Sequence, residues 1–512
     1  MALLVIAAAS ITQAAYASGT VAEAASAGDI TQARELIDAG ADVNQPQADG
    51  TTPLLWAVYT SSQELVQLLL DAGADPDVPN KLNITPLLQA SRYGNADMIR
   101  ALLASGAALN AAHLGIEPYL MAAARSGSVP AVNALLEAGA NVNATELFEN
   151  QTALMWAVAE GHLDVARVLL DAGADPNMQA RVNELKKRKN ADFPSGGFTA
   201  LHWAARNGDE AMINLLIDGG ANLNAKNGDN ASPMMLAIVN DRLDIAAMLL
   251  DLGADANDGS LYYATIMRDA TTDWRARDGT VFRADYPNDL SALDLTRLLL
   301  DAGADPNRPF IGQMHNTSMC CDTKSNETPF YRAAKAADVA GIRMMLDHGG
   351  DPNWKPASET KQVTLDSEEE IASRTALMVA ITGGKGVGVS GGPNDLRYGP
   401  PPFRESGNRD PAEAVELLLE AGADANIPGP DATTALHVAA KALNPAIIRS
   451  LVASGAALEA ENKDGETPLQ TVEKMKRPAP TPGFYFEEPP AWPEDIIALL
   501  QELGAEQEGS AQ

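Results

Sequence analysis

The stretch TALMWAVAEGHLDVARVLLDAGADPN, residues 152–177, decides how the chain is read. It holds two short runs of helical periodicity separated by one glycine. The Thr152 hydroxyl can accept a backbone N–H bond and cap the first helix. Leu154, Ala157 and Val158 give that helix an apolar face, and Gly161 permits a tight turn out of it. His162, directly after the glycine, stands where a capping contact to the next helix is expected. Leu163, Ala166, Val168, Leu169 and Leu170 mark that second helix, which Gly173 stops in the left-handed conformation. Asp175-Pro176-Asn177 leads into a turn, and Ala157 and Ala172 allow close approach. A pair of this size cannot bury its apolar face alone, so it predicts a stack.

The unit recurs. TTPLLWAVYTSSQELVQLLLDAGADPD spans 51–77, ITPLLQASRYGNADMIRALLASGAALN spans 84–110 and TALHWAARNGDEAMINLLIDGGANLN spans 199–224. Thr52 and Thr85 are 33 residues apart, as are residues 199 and 232. A fixed period in this range signals a repeat architecture. Second helices are expected to end near Gly40, Gly73, Gly106, Gly139, Gly173, Gly220, Gly253, Gly303, Gly350, Gly422, Gly455 and Gly504, giving about twelve units.

Thr199-Ala200-Leu201-His202, Thr434-Ala435-Leu436-His437 and Gly161-His162-Leu163 carry a resemblance to the ankyrin repeat family. That family has T-P-L-H-x-A-A, then G-H, then L-L-x-x-G-A-D-x-N. The resemblance covers most of residues 20–505 and implies an all-α fold, an α-solenoid of stacked helix pairs with projecting hairpin fingers and long insertions. It also implies that His202 and His437 are structural histidines bonding locally and tying adjacent repeats. Trp156 is implied to pack against a neighbouring repeat.

The stack is expected in two runs, 18–255 and 308–512, around a divergent unit with an insertion at 256–307. In that unit Leu261-Tyr262-Tyr263-Ala264 stands in for the threonine-proline start. Insertions at finger positions are 178–198, with a Lys186-Lys187-Arg188-Lys189 run, 308–327 and 354–373. Others fall between the two helices of a unit: about 268–290, the glycine- and proline-rich 383–411, and 474–493.

Composition narrows the function classes. Apolar residues make up 46% and charged residues 21% of the 512, so most of the chain should fold, while aromatics at 5% leave packing to small and aliphatic residues. A net charge of −31 discourages non-specific binding to nucleic acid or anionic membrane. No run beyond the N-terminus approaches a membrane span. Residues 1–17 are short, apolar and end in Ala15-Tyr16-Ala17, the small-x-small pattern of an export signal, but lack a basic start. Two readings stand: a cleaved signal placing the protein in the periplasm or outside the cell, or an apolar segment of a cytoplasmic protein.

The ends of the first helices carry the candidate contact residues: Tyr59, Arg92, Tyr93, Arg125, Glu160, Arg206, Asn207 and Lys335. The resemblance implies that this column lines a concave face. Tyrosine and arginine bury area and donate directional bonds, as interfaces require. Thr152, Trp156, Gly161, His162, His202 and His437 read as construction parts. Met314, His315, Met319, Cys320 and Cys321 gather soft ligands within 312–322, yet without C-x-x-C spacing or a second histidine, so no metal or other cofactor is assigned. No catalytic constellation emerges. The sequence therefore points to a non-catalytic scaffold or adaptor binding a protein partner. The alternative is a metal- or small-molecule-binding envelope protein, or a subunit of an enzyme complex, using its inserted loops.

Overall fold

A computed structural model describes residues 19–109, 117–183, 195–268, 287–310, 327–356, 359–364, 367–371, 374–383, 409–475 and 491–510. The segment 1–17, the basic run 186–189 and the Met-His-Cys stretch 312–322 lie outside the described residues. So do most of the insertions at 268–290, 383–411 and 474–493.

The described chain falls into two compact units, one running through Gly228 and the other from Asp229 onward. Each contains six helix pairs. In the N-terminal unit these are α1 Val21–Ala27 with α2 Ile30–Asp38, α3 Pro53–Tyr59 with α4 Gln63–Asp71, and α5 Pro86–Arg92 with α6 Ala96–Ala104. Then follow α7 Tyr119–Ser126 with α8 Val129–Glu137, α9 Ala153–Ala159 with α10 Leu163–Asp171, and α11 Ala200–Asn207 with α12 Glu210–Asp218. In the C-terminal unit they are α13 Pro233–Val239 with α14 Leu243–Asp251, α15 Ser260–Arg268 with α16 Ala292–Asp301, and α17 Pro329–Lys335 with α18 Val339–Asp347. The last three are α19 Ala376–Ile381 with α20 Pro411–Glu420, α21 Ala435–Lys441 with α22 Pro445–Ala453, and α23 Pro468–Glu473 with α24 Pro493–Ser510. Two short antiparallel hairpins accompany them: β1 Val182–Asn183 with β2 Ser195–Gly196, and β3 Glu359–Thr364 with β4 Ser367–Ile371. The all-α stack of helix pairs expected from the sequence is the fold.

Local chemistry sets each pair. The hydroxyls of Thr52, Thr85, Thr152, Ser232, Thr328 and Thr375 each accept the backbone N–H three residues on, at 3.1–3.2 Å. Each satisfies a donor that a helix start would otherwise leave open. Within each unit, first helices pack on first helices and second on second, so the core is a continuous layer. Leu154, Ala157, Val165, Ala166 and Leu169 are all buried in it.

Successive repeats are also stitched at the turn after each second helix. The Asn143 amide donates to the Gly173 carbonyl (3.2 Å) and accepts from the Asp175 N–H (2.8 Å). Asn44, Asn177, Asn257, Asn307, Asn353 and Asn426 each make the same two bonds to the following repeat, all within 2.7–3.4 Å. Asp77 stands in the same place and only accepts, from Ala108 N–H at 2.8 Å, because a carboxylate has no N–H to give. The bridge from Asn353 reaches Asp424, 71 residues on, with the same geometry as that from Asn44 to Asp75, 31 on.

The structure corrects several expectations. In the repeat ending HGGDPN the left-handed stop is Gly349 (φ +83°), not Gly350. Gly350 fills the slot that alanine holds elsewhere, where a Cβ would meet the Phe330 ring at 2.6 Å. Gly504 stops nothing, because α24 runs through it to Ser510. The divergent unit lies one repeat past the 228/229 boundary of the two compact units. That unit keeps the helix-pair plan, but α15 is buried from Ser260 to Ile266 and again at Arg268. Arg268 forms a two-pronged pair with Asp338, Nε at 2.5 Å and Nη2 at 2.7 Å, while Arg409 Nη2 donates to the Arg268 carbonyl at 2.8 Å. Arg268, bordering one insertion, is thereby fixed to a buried carboxylate that also caps α18 through Gly341 N–H, and Arg409, bordering another, is fixed to the Arg268 carbonyl.

Because repeats bury surface mainly against neighbours, damage should stay local. Leu169→Ala empties a fully buried site, at a cost of about 2–5 kcal/mol. Hydrogen exchange should quicken across residues 140–225 and remain unchanged elsewhere. Uniform quickening along the chain would contradict the nearest-neighbour account.

Candidate functional site

The ends of α3, α5, α7, α9 and α11 sit side by side in the N-terminal unit because these helices pack consecutively. Seven of the eight sequence-picked residues lie here. Tyr59 closes α3, its ring 5.7 Å from that of Trp56. Its hydroxyl pKa is raised, first by burial and then by the neighbouring Tyr93 phenol. Tyr93, the C-cap of α5, is 49% exposed, unusually open for a large aromatic. Arg92 and Arg125 reach the same carboxylate, Glu117, at 3.3 and 3.5 Å. The Arg125 guanidinium also lies 5.1 Å over the Trp156 ring, joining two repeats through a cation–π contact. Glu160 caps the end of α9 and is exposed. Asn207 Nδ2 donates to the Ala159 carbonyl at 3.2 Å, and Arg206 lies 5.3 Å over Trp203. Lys335 does not join this group. It belongs to the C-terminal unit and is bonded to Glu327 at 2.7 Å.

Trp56 and Trp156 are half-buried, yet their indole N–H groups are buried with no acceptor among the described residues. An unmet buried donor costs about 1–3 kcal/mol, so these rings occupy the face at some expense to the fold.

The construction residues behave as follows. Thr152 caps α9. Gly161 takes φ +75°. His162 occupies the N-cap position of α10 but caps nothing there. Its Nε2 lies 3.2 Å from the Arg125 carbonyl, so Nε2 carries the proton and donates into the preceding repeat. Space for that ring exists because residue 127 is glycine: a Cβ there would meet the imidazole at 2.7 Å. The imidazole was expected to serve its own helix and instead ties two repeats. His202 and His437 accept from the N–H of Thr199 (3.1 Å) and Thr434 (3.2 Å) through Nδ1. His437 Nε2 reaches the Glu466 carbonyl of the next repeat at 2.9 Å.

Sequence reading missed Glu117, the hub of the strip. Its signal is a glutamate eight residues before a basic residue, a spacing repeated in Glu327–Lys335 and Glu466–Lys474. It also missed the bridging asparagines, which the recurring D-x-N could have flagged. Among the described residues, no three His, Cys, Asp or Glu side chains gather in a metal-holding group. No helix there is long and apolar enough to cross a membrane.

Helix pairs bridged from repeat to repeat, with first-helix ends presented in a row, define an all-α repeat stack. The family described as "Ankyrin repeats (3 copies)" matches residues 21–113, 112–180, 181–260 and 405–474, together more than half of the chain. The chain belongs to the ankyrin repeat family, whose fold generally serves protein–protein interaction. Among solved structures it is similar to the human ASB11 ankyrin repeat domain, at 26% identity and a TM-score of 0.37. That likeness covers 43% of this chain and 92% of that one. Comparison with curated proteins gives no match.

His437 gives the structure a pH dependence. Burial pushes its pKa below the ordinary 6.5, and Lys441 adds to this against the Glu466 carbonyl bond. The lowered value means the neutral ring stabilises the fold fully above pH 6.5, and that contribution is lost as pH falls through the folded value. Exchange protection around 434–467 should therefore weaken on going from pH 7.5 to 5.5. In His437→Gln that pH step should shrink, and an unaltered step would contradict the assignment.

Proposed function

We propose that the protein is a non-catalytic scaffold whose partner seats on the first-helix ends of the N-terminal unit. The observation that carries this reading is the connected run Arg92–Glu117–Arg125–Trp156, which crosses three repeats with each side chain still reachable from solvent or half-buried. Stacking does not require it: Ala159 and Val239 occupy first-helix ends elsewhere in the same fold. Exposed Tyr93 and Glu160 extend the run on either side. Together they offer aromatic area, cations held in place before binding, and two carboxylates, of which Glu117 is already paired. Preorganised arginine and tyrosine lose little freedom on association, which is where affinity is won.

The test is capture of a partner from native extract by the full chain, followed by affinity measurement with Tyr59, Tyr93 and Arg125 all changed to alanine. Affinity should fall at least tenfold, about 1.4 kcal/mol, while the far-ultraviolet circular dichroism stays that of the parent. A folded triple variant that binds the same partner unchanged would remove the strip as the contact surface.

A further inference from the structure

Cations at the first-helix ends are compensated in a recurring way. In three repeats the residue just before the helix cap is a glutamate, and the residue eight positions later is basic. Glu117 meets Arg125 at 3.5 Å, Glu327 meets Lys335 at 2.7 Å, and Glu466 pairs with Lys474.

Two adjacent repeats of the C-terminal unit break this pairing in opposite halves. Before the cap Thr375 stands Arg374, and eight residues on is Thr382. Before the cap Thr434 stands Thr433, and eight residues on is Lys441. In each case the carboxylate is gone and a cation remains. Both Arg374 and Lys441 are exposed and neither forms an ion pair within 4.0 Å among the described residues, while the Lys441 charge acts at longer range on the Glu466 carboxylate, itself paired with Lys474.

These four residues line a single cleft of about 340 Å³, with Met378 and Val438 in its wall. Its acidic lining residue, Asp431, is already neutralised by Lys463 Nζ at 2.5 Å. The Thr382 hydroxyl donates to the Val379 carbonyl at 3.2 Å, so the donors left for a ligand are the two cations and the Thr433 hydroxyl. The lip at Asp431 and Ala432 holds φ of +58° and +55°, the left-handed region that non-glycine residues seldom adopt. Two exposed cations beside apolar walls, with the cleft's own carboxylate already paired, are a complementary setting for negative charge carried on an apolar body.

We propose that this cleft binds a small organic anion, its carboxylate or phosphoryl group between Arg374 and Lys441 and its apolar part against Met378 and Val438. The site is independent of the partner strip, which belongs to the other unit.

Calorimetric titration of the full chain with phenyl phosphate, benzoate and neutral benzyl alcohol tests it. At least one anion should bind saturably at one site, more weakly as salt rises, and benzyl alcohol should not. The stronger of the two anions identifies which oxyanion the site prefers. Arg374→Gln combined with Lys441→Gln should weaken binding at least tenfold, and Arg374→Glu, which restores a carboxylate to that slot, should abolish it. Lys441→Arg and the remote Lys335→Gln should leave it intact. Both cleft cations are exposed, so the variants should keep the parent circular dichroism, and Arg374→Gln alone provides a milder check. Saturable binding of neither anion, equal binding of benzyl alcohol, or undiminished binding by the folded double variant would overturn the proposal.

Discussion

The structure depends on one small amide. An asparagine at the end of one repeat donates to a glycine carbonyl and accepts an N–H in the next, filling both halves of its side chain. The glycine sits at the helix stop, where its carbonyl and the N–H two residues later point outward together. One side chain thus fixes the offset between repeats without regard to what the chain does between them. Hence 31 residues or 71 residues can separate the bridged groups with the same bonds. A loop-closure cost that rises only logarithmically with length makes the longer excursions tolerable. The buried helix layers supply most of the stabilisation, and the bridges set the register in which those layers meet.

That arrangement separates scaffold from surface. Caps, glycine stops, bridges and the alanine-rich layer are repeated from unit to unit because the stack needs them. First-helix ends carry little structural duty, so their chemistry can vary: tyrosine and arginine in one unit, lysine and threonine in the other. The glutamate–base pairing at spacing eight recurs in three of the twelve repeats.

Much of this was legible in the sequence. Thr152, Gly161 and Gly173 declare their roles by identity alone, because few residues can cap a helix or hold a left-handed turn. The twelve pairs followed from that punctuation. Gly350 was misplaced because two glycines stand together and only backbone conformation says which one turns. Gly504 misled because the helix Pro493–Ser510 continues through it. His162 was read as serving its own helix, since the room made for it by Gly127 in the preceding repeat is visible only in three dimensions. Seven of the picked residues lie side by side and Lys335 does not; Glu117 stands in the repeat of Arg125 but one repeat beyond Arg92, and no local pattern connects it to Arg92. The cleft at Arg374 and Lys441 was invisible for the same reason: two absences, one in each of two repeats, become a site only when the repeats are stacked.

The most direct test of the bridge account is hydrogen exchange on Asn353→Ala, where the bridge spans the longest excursion. Both lost bonds are partly exposed, so local opening near Gly422–Asp424 should become easier by about 1–2 kcal/mol. The effect should extend to the two repeats that flank the bridge and fade beyond them. Unchanged protection at 422–424, or an equal loss in every repeat, would show that the asparagine does not set how one repeat meets the next.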